Sequence, residues 1–297
     1  MIQLKSGDTV DVIAPSSKVP PDVLEKVKAL LASWNLHCRM PSDLLGQDLF
    51  SANTTEIRIK HLKEALTNST SKAIWCLRGG YGATKLIPSL SDLGQLKNPK
   101  ILIGSSDITA LHIFLQDKYG WSTIHGPGSA TVVTEKVSKE SVEQLKEILF
   151  QKKTQVIKNI IPLNHFAKEE QIIKAPITGG NLSLIQTSLG TDWQIQTKNK
   201  ILLIEEVNEK GYRIDRTLEH LNQAGIFNQV KAILFGDIMG GEEPEGKSYA
   251  QDAIKLFAEH STLPIFQVNG VGHGFINTPI ILGKEATLNT RNHSLEF

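Results

Sequence analysis

Three short segments of this chain carry residues that together could perform acyl transfer. In the first, an apolar run over 100–104 leads into Gly104-Ser105-Ser106-Asp107, and residues 108–115 continue with the apolar spacing of a helix. A serine on such a strand-to-helix turn is presented out of the sheet, beside amides where the helix dipole favours negative charge. The pattern is not the full Gly-x-Ser-x-Gly elbow, because Ile108 holds its last position. Taken alone, the turn reads first as a helix capped by Ser105 or Ser106.

The other two segments change that balance. Residues 200–206 form a continuous apolar run, as a buried parallel strand does, and end in Glu205 and Glu206. Acids at the C-terminal end of such a strand lie where open α/β sheets place their ligands. Further on, His273 stands between Gly272 and Gly274, whose backbone freedom lets the imidazole project into a cleft. Singly, Glu205 reads as an ordinary strand-end carboxylate and His273 as a hydrogen-bonded loop residue. Together with Ser106 they form the chain order Ser, Glu, His of a catalytic triad. Glu205 and Glu206 are strand neighbours facing opposite sides, so only one can meet the histidine.

These segments need elements to position them, and the first 125 or so residues alternate short apolar runs with amphipathic ones. Strands are expected at 9–14, 72–77, 100–104 and 122–125, with helices at 22–34, 54–66 and 107–117. That alternation predicts a parallel sheet with helices on both faces. A lysine-rich stretch from about 134 to 172 opens with an amphipathic helix and turns polar and aperiodic. After Gly179-Gly180-Asn181-Leu182 a second α/β unit is expected, with strands at 200–206, 230–235 and 264–268 and helices at 213–224 and 250–260. The tail 279–297 alternates like antiparallel β. The fold class is therefore α/β in two domains: an N-terminal unit at 1–134 carrying Ser106, a connection at 135–165, and a C-terminal unit at 166–297 carrying Glu205 and His273. The site then falls in the interdomain cleft.

Composition narrows the function. With 297 residues, 40% hydrophobic and 21% charged, the chain reads as an ordinary globular protein, and a net charge of +1 offers no general attraction to nucleic acid or an anionic membrane. No apolar run reaches the roughly 18 residues that span a bilayer, and residues 1–8 lack a signal-peptide pattern, so a cytoplasmic location is expected. Cys38 and Cys76 are too far apart for a zinc motif, and the nine histidines form no metal-ligand pair, so neither metal nor cofactor is expected. A literal P-loop match over 241–248 holds three glutamates and Pro244 where a phosphate would sit, and is read as chance.

The chain resembles the LD-carboxypeptidase family of serine peptidases, which includes the microcin C self-immunity peptidases. The resemblance rests on Gly7-Asp8, Ala14-Pro15-Ser16-Ser17, Arg78-Gly79-Gly80-Tyr81-Gly82 and Gly104-Ser105-Ser106-Asp107-Ile108-Thr109. It continues through His125-Gly126-Pro127, Gly179-Gly180-Asn181-Leu182, Glu205-Glu206-Val207, Tyr212-Arg213-Ile214-Asp215-Arg216 and Gly272-His273-Gly274. It implies Ser106 as nucleophile, Glu205 as acid and His273 as base. It also implies cleavage of the L,D bond before the terminal D-alanine of a cytosolic cell-wall tetrapeptide.

For that chemistry the amide of Asp107 and one from the Gly79-Gly80 turn are the expected oxyanion donors. The Gly-rich loop fits neither a P-loop nor a dinucleotide pattern, and is read as a tight turn that also supplies an amide. Arg78 and Arg213 are candidate partners for the substrate carboxylate. The other reading of Arg213 and Arg216 is ion pairing with Asp215 or Glu219 on a solvated helix face. The expected partner is a small peptide, with no nucleic acid or membrane, and a homodimer stays open. The closest alternative keeps the triad but cleaves a peptidyl- or aminoacyl-nucleotide antibiotic, for which Trp121 or Trp193 could stack on the base. A non-catalytic two-domain binder is the third reading.

Overall fold

The computed structural model describes residues 2–297. The first half contains strands β1 (Thr9–Ile13), β2 (His37–Arg39), β3 (Ser71–Cys76), β4 (Ile101–Gly104) and β5 (Thr123–His125). Between and after them run helices α1 (Asp22–Ser33), α2 (Thr55–Thr67), α3 (Thr109–Tyr119), α4 (Ser129–Val133) and α5 (Lys139–Phe150). The second half adds β6 (Val156–Lys158), β7 (Ile161–Pro162), β8 (Ile172–Asn181), β9 (Ile201–Val207), β10 (Ala232–Met239), β11 (Ile265–Gln267), β12 (Ile280–Leu282), β13 (Glu285–Asn289) and β14 (Ser294–Glu296). Helices α6 (Leu182–Thr187), α7 (Gly211–Gln223) and α8 (Ala250–His260) lie among them.

Two sheets result. The first has the order β12-β5-β4-β3-β1-β2, in which β1 to β5 are parallel and β12 is an antiparallel edge. The second has the order β6-β14-β13-β8-β9-β10-β11-β7, with a parallel centre β8-β9-β10-β11 and antiparallel flanks. The mixed α/β architecture read from the alternating pattern is present. Residues 280–282, expected in the C-terminal unit, instead complete the first sheet by pairing with β5. The stretch 135–165, expected as a connection that opens with an amphipathic helix, holds that helix as α5 and adds β6 and β7, whose two or three residues are too few to show a period.

Alternation along the strands sorts the core into two layers. Val10, Val12, Trp75, Ile101 and Ile103 pack with α1, α4 and α5, whereas Ile13, Ile74, Cys76 and Leu102 pack with α2 and α3. Both faces of the first sheet are thus covered by helices, which parallel strands require. In the second sheet, Leu202, Ile204, Ile233 and Phe235 face α6, α7 and α8, while Ile201, Leu203 and Leu234 face the other way. The same parity puts Glu205 and Glu206 on opposite faces of β9.

The sheets meet where the candidate residues lie. The amide of Asn181, at the end of β8, donates to Thr109 Oγ1 at the start of α3 (3.0 Å). At Gly180, φ is 132° and an added Cβ would lie 2.5 Å from Thr109 Oγ1, so only glycine permits this approach. No helix among the described residues is long and apolar enough to cross a membrane.

Candidate active site

The turn that carries Ser106 starts where β4 ends. Ser105 is extended, Ser106 takes φ 61°, and a short 3-10 turn over Ser106–Ile108 leads into α3. A positive φ at a non-glycine residue is a strained conformation that typically costs about 1–2 kcal/mol, and such strain concentrates at functional turns. Asp107 holds the turn in place. Its buried carboxylate accepts from Ser16 Oγ (2.6 Å) and from the Ala83 amide (2.8 Å), joining the exits of β1 and of the Gly-rich loop. Burial raises the Asp107 pKa, and these hydrogen bonds offset the rise only in part. The sequence pattern points only to the amide of Asp107; the parts played by its side chain and by Ser16 emerge from the fold.

The Gly-rich loop presses directly on this turn. A Cβ at Gly79 would lie 2.7 Å from Ser106 Cβ and 2.9 Å from the Ser105 carbonyl oxygen. Gly80, at φ 112°, packs as closely on Ser17, whose hydroxyl accepts from the Tyr81 amide at 3.1 Å. Ser105, Ser106, Gly79, Gly80, Arg78 and His273 all line one cavity of about 220 Å³. Ser106 and His273 therefore share a cavity, without a direct hydrogen bond among the described residues; such contacts often tighten only when substrate binds.

His273 is held by Glu205. Its Nδ1 lies 2.6 Å from Glu205 Oε2. At Gly272, φ is 142° and a Cβ would approach Glu205 Oε2 to 3.2 Å, so the loop can pass close to the carboxylate. Asp237 anchors the same loop, its carboxylate accepting from the Gly270 amide (2.9 Å) and its own amide donating to the Val271 carbonyl (2.6 Å). Glu205 is fully buried, and burial alone would raise its pKa. The imidazoles of His125 and His273 on either side outweigh that and hold it at about 2. For His273, burial pushes the pKa down, but the hydrogen bond and charge of Glu205 prevail and leave it raised. Glu205 is thus a carboxylate at neutral pH, placed to fix the His273 tautomer and stabilise its imidazolium form.

Glu206 does different work on the opposite face. It accepts from Asn181 Nδ2 (2.9 Å), the Ser183 amide (2.9 Å), Ser183 Oγ (2.7 Å) and the Val207 amide (2.8 Å). It anchors the start of α6 and has no contact with His273. The structure also adds His125, which is fully buried at the end of β5, with Nε2 3.4 Å from Glu205 Oε1. In the sequence, His125 is marked only by the His125-Gly126-Pro127 motif.

Of the two expected carboxylate partners, only Arg78 lines the cavity. Arg213 pairs with Glu209 at 3.6 Å, and its guanidinium lies 5.9 Å from the Tyr212 ring centre. Its partner is neither Asp215 nor Glu219, because Glu209 precedes α7 by two residues and lies one turn before Arg213 on the side the arginine takes. Trp121 and Trp193 are buried in the core, away from this cavity. Among the described residues, no three His, Cys, Asp or Glu side chains stand close enough to hold a metal.

Known carboxypeptidases resemble this chain over nearly its whole length. The chain is 41% identical to a putative carboxypeptidase of Rickettsia prowazekii over 96% of its own length and 88% of that protein's. It is 29% identical to the murein tetrapeptide carboxypeptidase of Pseudomonas aeruginosa, covering 94% of this chain and 92% of that one. The crystal structure of an MccF-like protein from Bacillus anthracis superposes with a TM-score of 0.86 and 26% identity, covering 99% of this chain and 98% of that chain. Residues 10–126 match the LD-carboxypeptidase N-terminal domain and residues 174–288 match its C-terminal domain. With both domains matched in order around a serine, a glutamate and a histidine, the chain belongs to the LD-carboxypeptidase family of serine-type carboxypeptidases.

Proposed function

We propose that this carboxypeptidase removes the terminal D-alanine of cytosolic cell-wall tetrapeptides by cleaving the L,D-amide bond. The observation that carries the reading is the 2.6 Å contact between Glu205 and His273, at a cavity that also holds the strained Ser106. On this reading His273 takes the Ser106 proton as the hydroxyl attacks the scissile carbonyl. The proton then passes to the leaving D-alanine nitrogen, and water releases the acyl group by the reverse route. The amides of Asp107 and of the Gly79-Gly80 turn receive the oxyanion. None of these amides has an acceptor within the protein among the described residues. Losing one such donor typically costs about 2.7–4 kcal/mol of transition-state stabilisation.

The similarity to a murein tetrapeptide carboxypeptidase supports this substrate. The second reading, cleavage of an aminoacyl-nucleotide, is favoured by the likeness to the MccF-like structure. An adenine ring would call for a large aromatic surface, and no Phe, Tyr or Trp lines the cavity beside Ser106. Chromatography of a murein tetrapeptide after incubation tests the choice. The expected result is release of D-alanine by the native enzyme and none by Ser106→Ala. Cleavage of an aminoacyl-nucleotide but not of the tetrapeptide would replace the first reading with the second.

A further inference from the structure

The cavity beside Ser106 carries two cations and no carboxylate. Arg78 enters it from the Gly-rich loop and Lys136 from the segment after α4. The chain has six arginines. Arg39 pairs with Asp11, Arg213 with Glu209 and Arg291 with Glu170; Arg58 binds backbone carbonyls and Arg216 lies over the Tyr212 ring. Arg78 has no ion pair, hydrogen bond or aromatic contact among the described residues, and Lys136 is equally free. Both side chains are exposed and line one small cavity, so an anion placed there would be attracted by both charges.

The backbone that presents Lys136 is built with care. Helix α4 closes with the Lys136 amide donating to the Thr131 carbonyl (3.1 Å) and the Glu135 amide to the Val132 carbonyl (3.1 Å). This pair of bonds is a Schellman closure, in which the penultimate residue is left-handed and is usually glycine. Here it is Glu135, at φ 55°. The strained residue fixes the direction in which the chain, and with it Lys136, leaves the helix. Thr131 adds a hydroxyl to the cavity wall, and Val19, Val23 and Ala130 add apolar surface.

We propose that Arg78 and Lys136 form the subsite for the free α-carboxylate of the leaving residue, with the apolar wall receiving its methyl group. The inference rests on the carboxypeptidase reading above and names the group that makes the enzyme act only at a chain end. The leaving residue's carboxylate is two bonds from the scissile nitrogen, so its site must adjoin Ser106 and His273, as this cavity does. At about 220 Å³ the cavity is smaller than the roughly 300 Å³ from which drug-sized ligands are held, and suits one small residue. Arg78 precedes the Gly79-Gly80 amides directly, so the charge that grips the carboxylate and the donors that face the carbonyl are fixed to one another.

The test compares a murein tetrapeptide ending in free D-alanine with the same peptide as its C-terminal amide. Native enzyme should favour the acid, and Arg78→Met and Lys136→Met should each raise KM for the acid by about tenfold or more with a smaller effect on kcat. In the double variant the preference should collapse toward equality. A calorimetric arm uses Ser106→Ala, which should bind the acid at least tenfold more tightly than the amide and lose that difference when both cations are replaced. Cleavage or binding without preference for the acid would overturn the subsite alone. Binding of neither peptide would overturn the subsite and the substrate reading together. Inorganic phosphate competing more strongly than D-alanine would mark the cavity as a phosphate site and overturn the carboxylate assignment.

Discussion

His125 Nε2 lies 3.4 Å from Glu205 Oε1, while His273 Nδ1 takes the other oxygen of the same carboxylate at 2.6 Å. One buried acid therefore stands between two imidazoles, one from the end of β5 and one from the loop after β11. The separation is that of a polar contact and not of a hydrogen bond: neither nitrogen of His125 has a hydrogen-bond partner among the described residues, and Glu205 Oε1 has none either. Replacing His125 with Ala would remove the imidazole that faces this buried oxygen. Loss of that contact should lower kcat about tenfold, the factor that corresponds to roughly 1.4 kcal/mol, with KM little changed. Steady-state kinetics on the tetrapeptide gives the measurement, and an unchanged kcat would remove His125 from the catalytic arrangement.

Gly79→Ala should silence the enzyme without unfolding it. The new methyl would need the space of Ser106 Cβ, 2.7 Å away, and must displace either Ser106 or the loop that faces it. A shift of about 1 Å from productive geometry can reduce the rate on the order of 100-fold. The circular dichroism spectrum should match that of the native enzyme while kcat drops by that order. Native turnover in this variant would show that the loop does not position Ser106.

Glu206→Gln should affect stability more than catalysis. The buried carboxylate accepts four hydrogen bonds around the start of α6, and an amide would turn an NH2 group toward some of those donors. The expected cost is about 1–3 kcal/mol, read as a lower thermal midpoint with most activity retained below it. Glu205→Gln should show the opposite pattern, crippled turnover on a folded protein. Comparable loss of turnover at both positions would contradict the division of labour between them.

The pH profile follows from His273. Burial lowers its pKa, but Glu205 outweighs that and raises it above the ordinary 6.5; on the proposed mechanism His273 must be neutral to take the Ser106 proton. The kcat/KM should therefore rise with pH with a midpoint above 6.5. In Glu205→Gln the residual activity should titrate at lower pH, because the raising cause is gone. Stability runs the other way. A raised folded pKa contributes fully below the unfolded value of 6.5 and is lost as pH rises through the folded value. An acid limb centred below 6.5 in the native enzyme would refute this account.

What could be read from the chain beforehand was short-range. The apolar run into Gly104-Ser105-Ser106 and the buried run ending in Glu205 are local patterns, and both appear as a strand end and a strand in the structure. Strand β8 passed unnoticed because its first residues alternate weakly and Pro176, Gly179 and Gly180 imitate a loop. The choice between Glu205 and Glu206 depends on which face of β9 meets α6, and neighbours in sequence do not show that. His125 and Lys136 lie 80 and 30 residues from the groups they adjoin, Glu205 and Ser106. Such proximity exists only once the sheets are assembled.

Strand β12 has a mechanical consequence. The chain passes from the first sheet to the second near residue 156, then returns at 280–282 to pair with β5 before ending in the second sheet. The edge it seals belongs to the strand that ends in His125, between β4 and β12. Three crossings instead of one make the halves behave as a stapled pair, which opposes a clam-shell opening of the mouth that holds Ser106 and His273. A protein cut after residue 134 would leave β5 with a raw edge and Glu205 without its second imidazole. Unfolding either half removes part of the other, and the reacting groups hold their spacing for as long as the whole molecule stays folded.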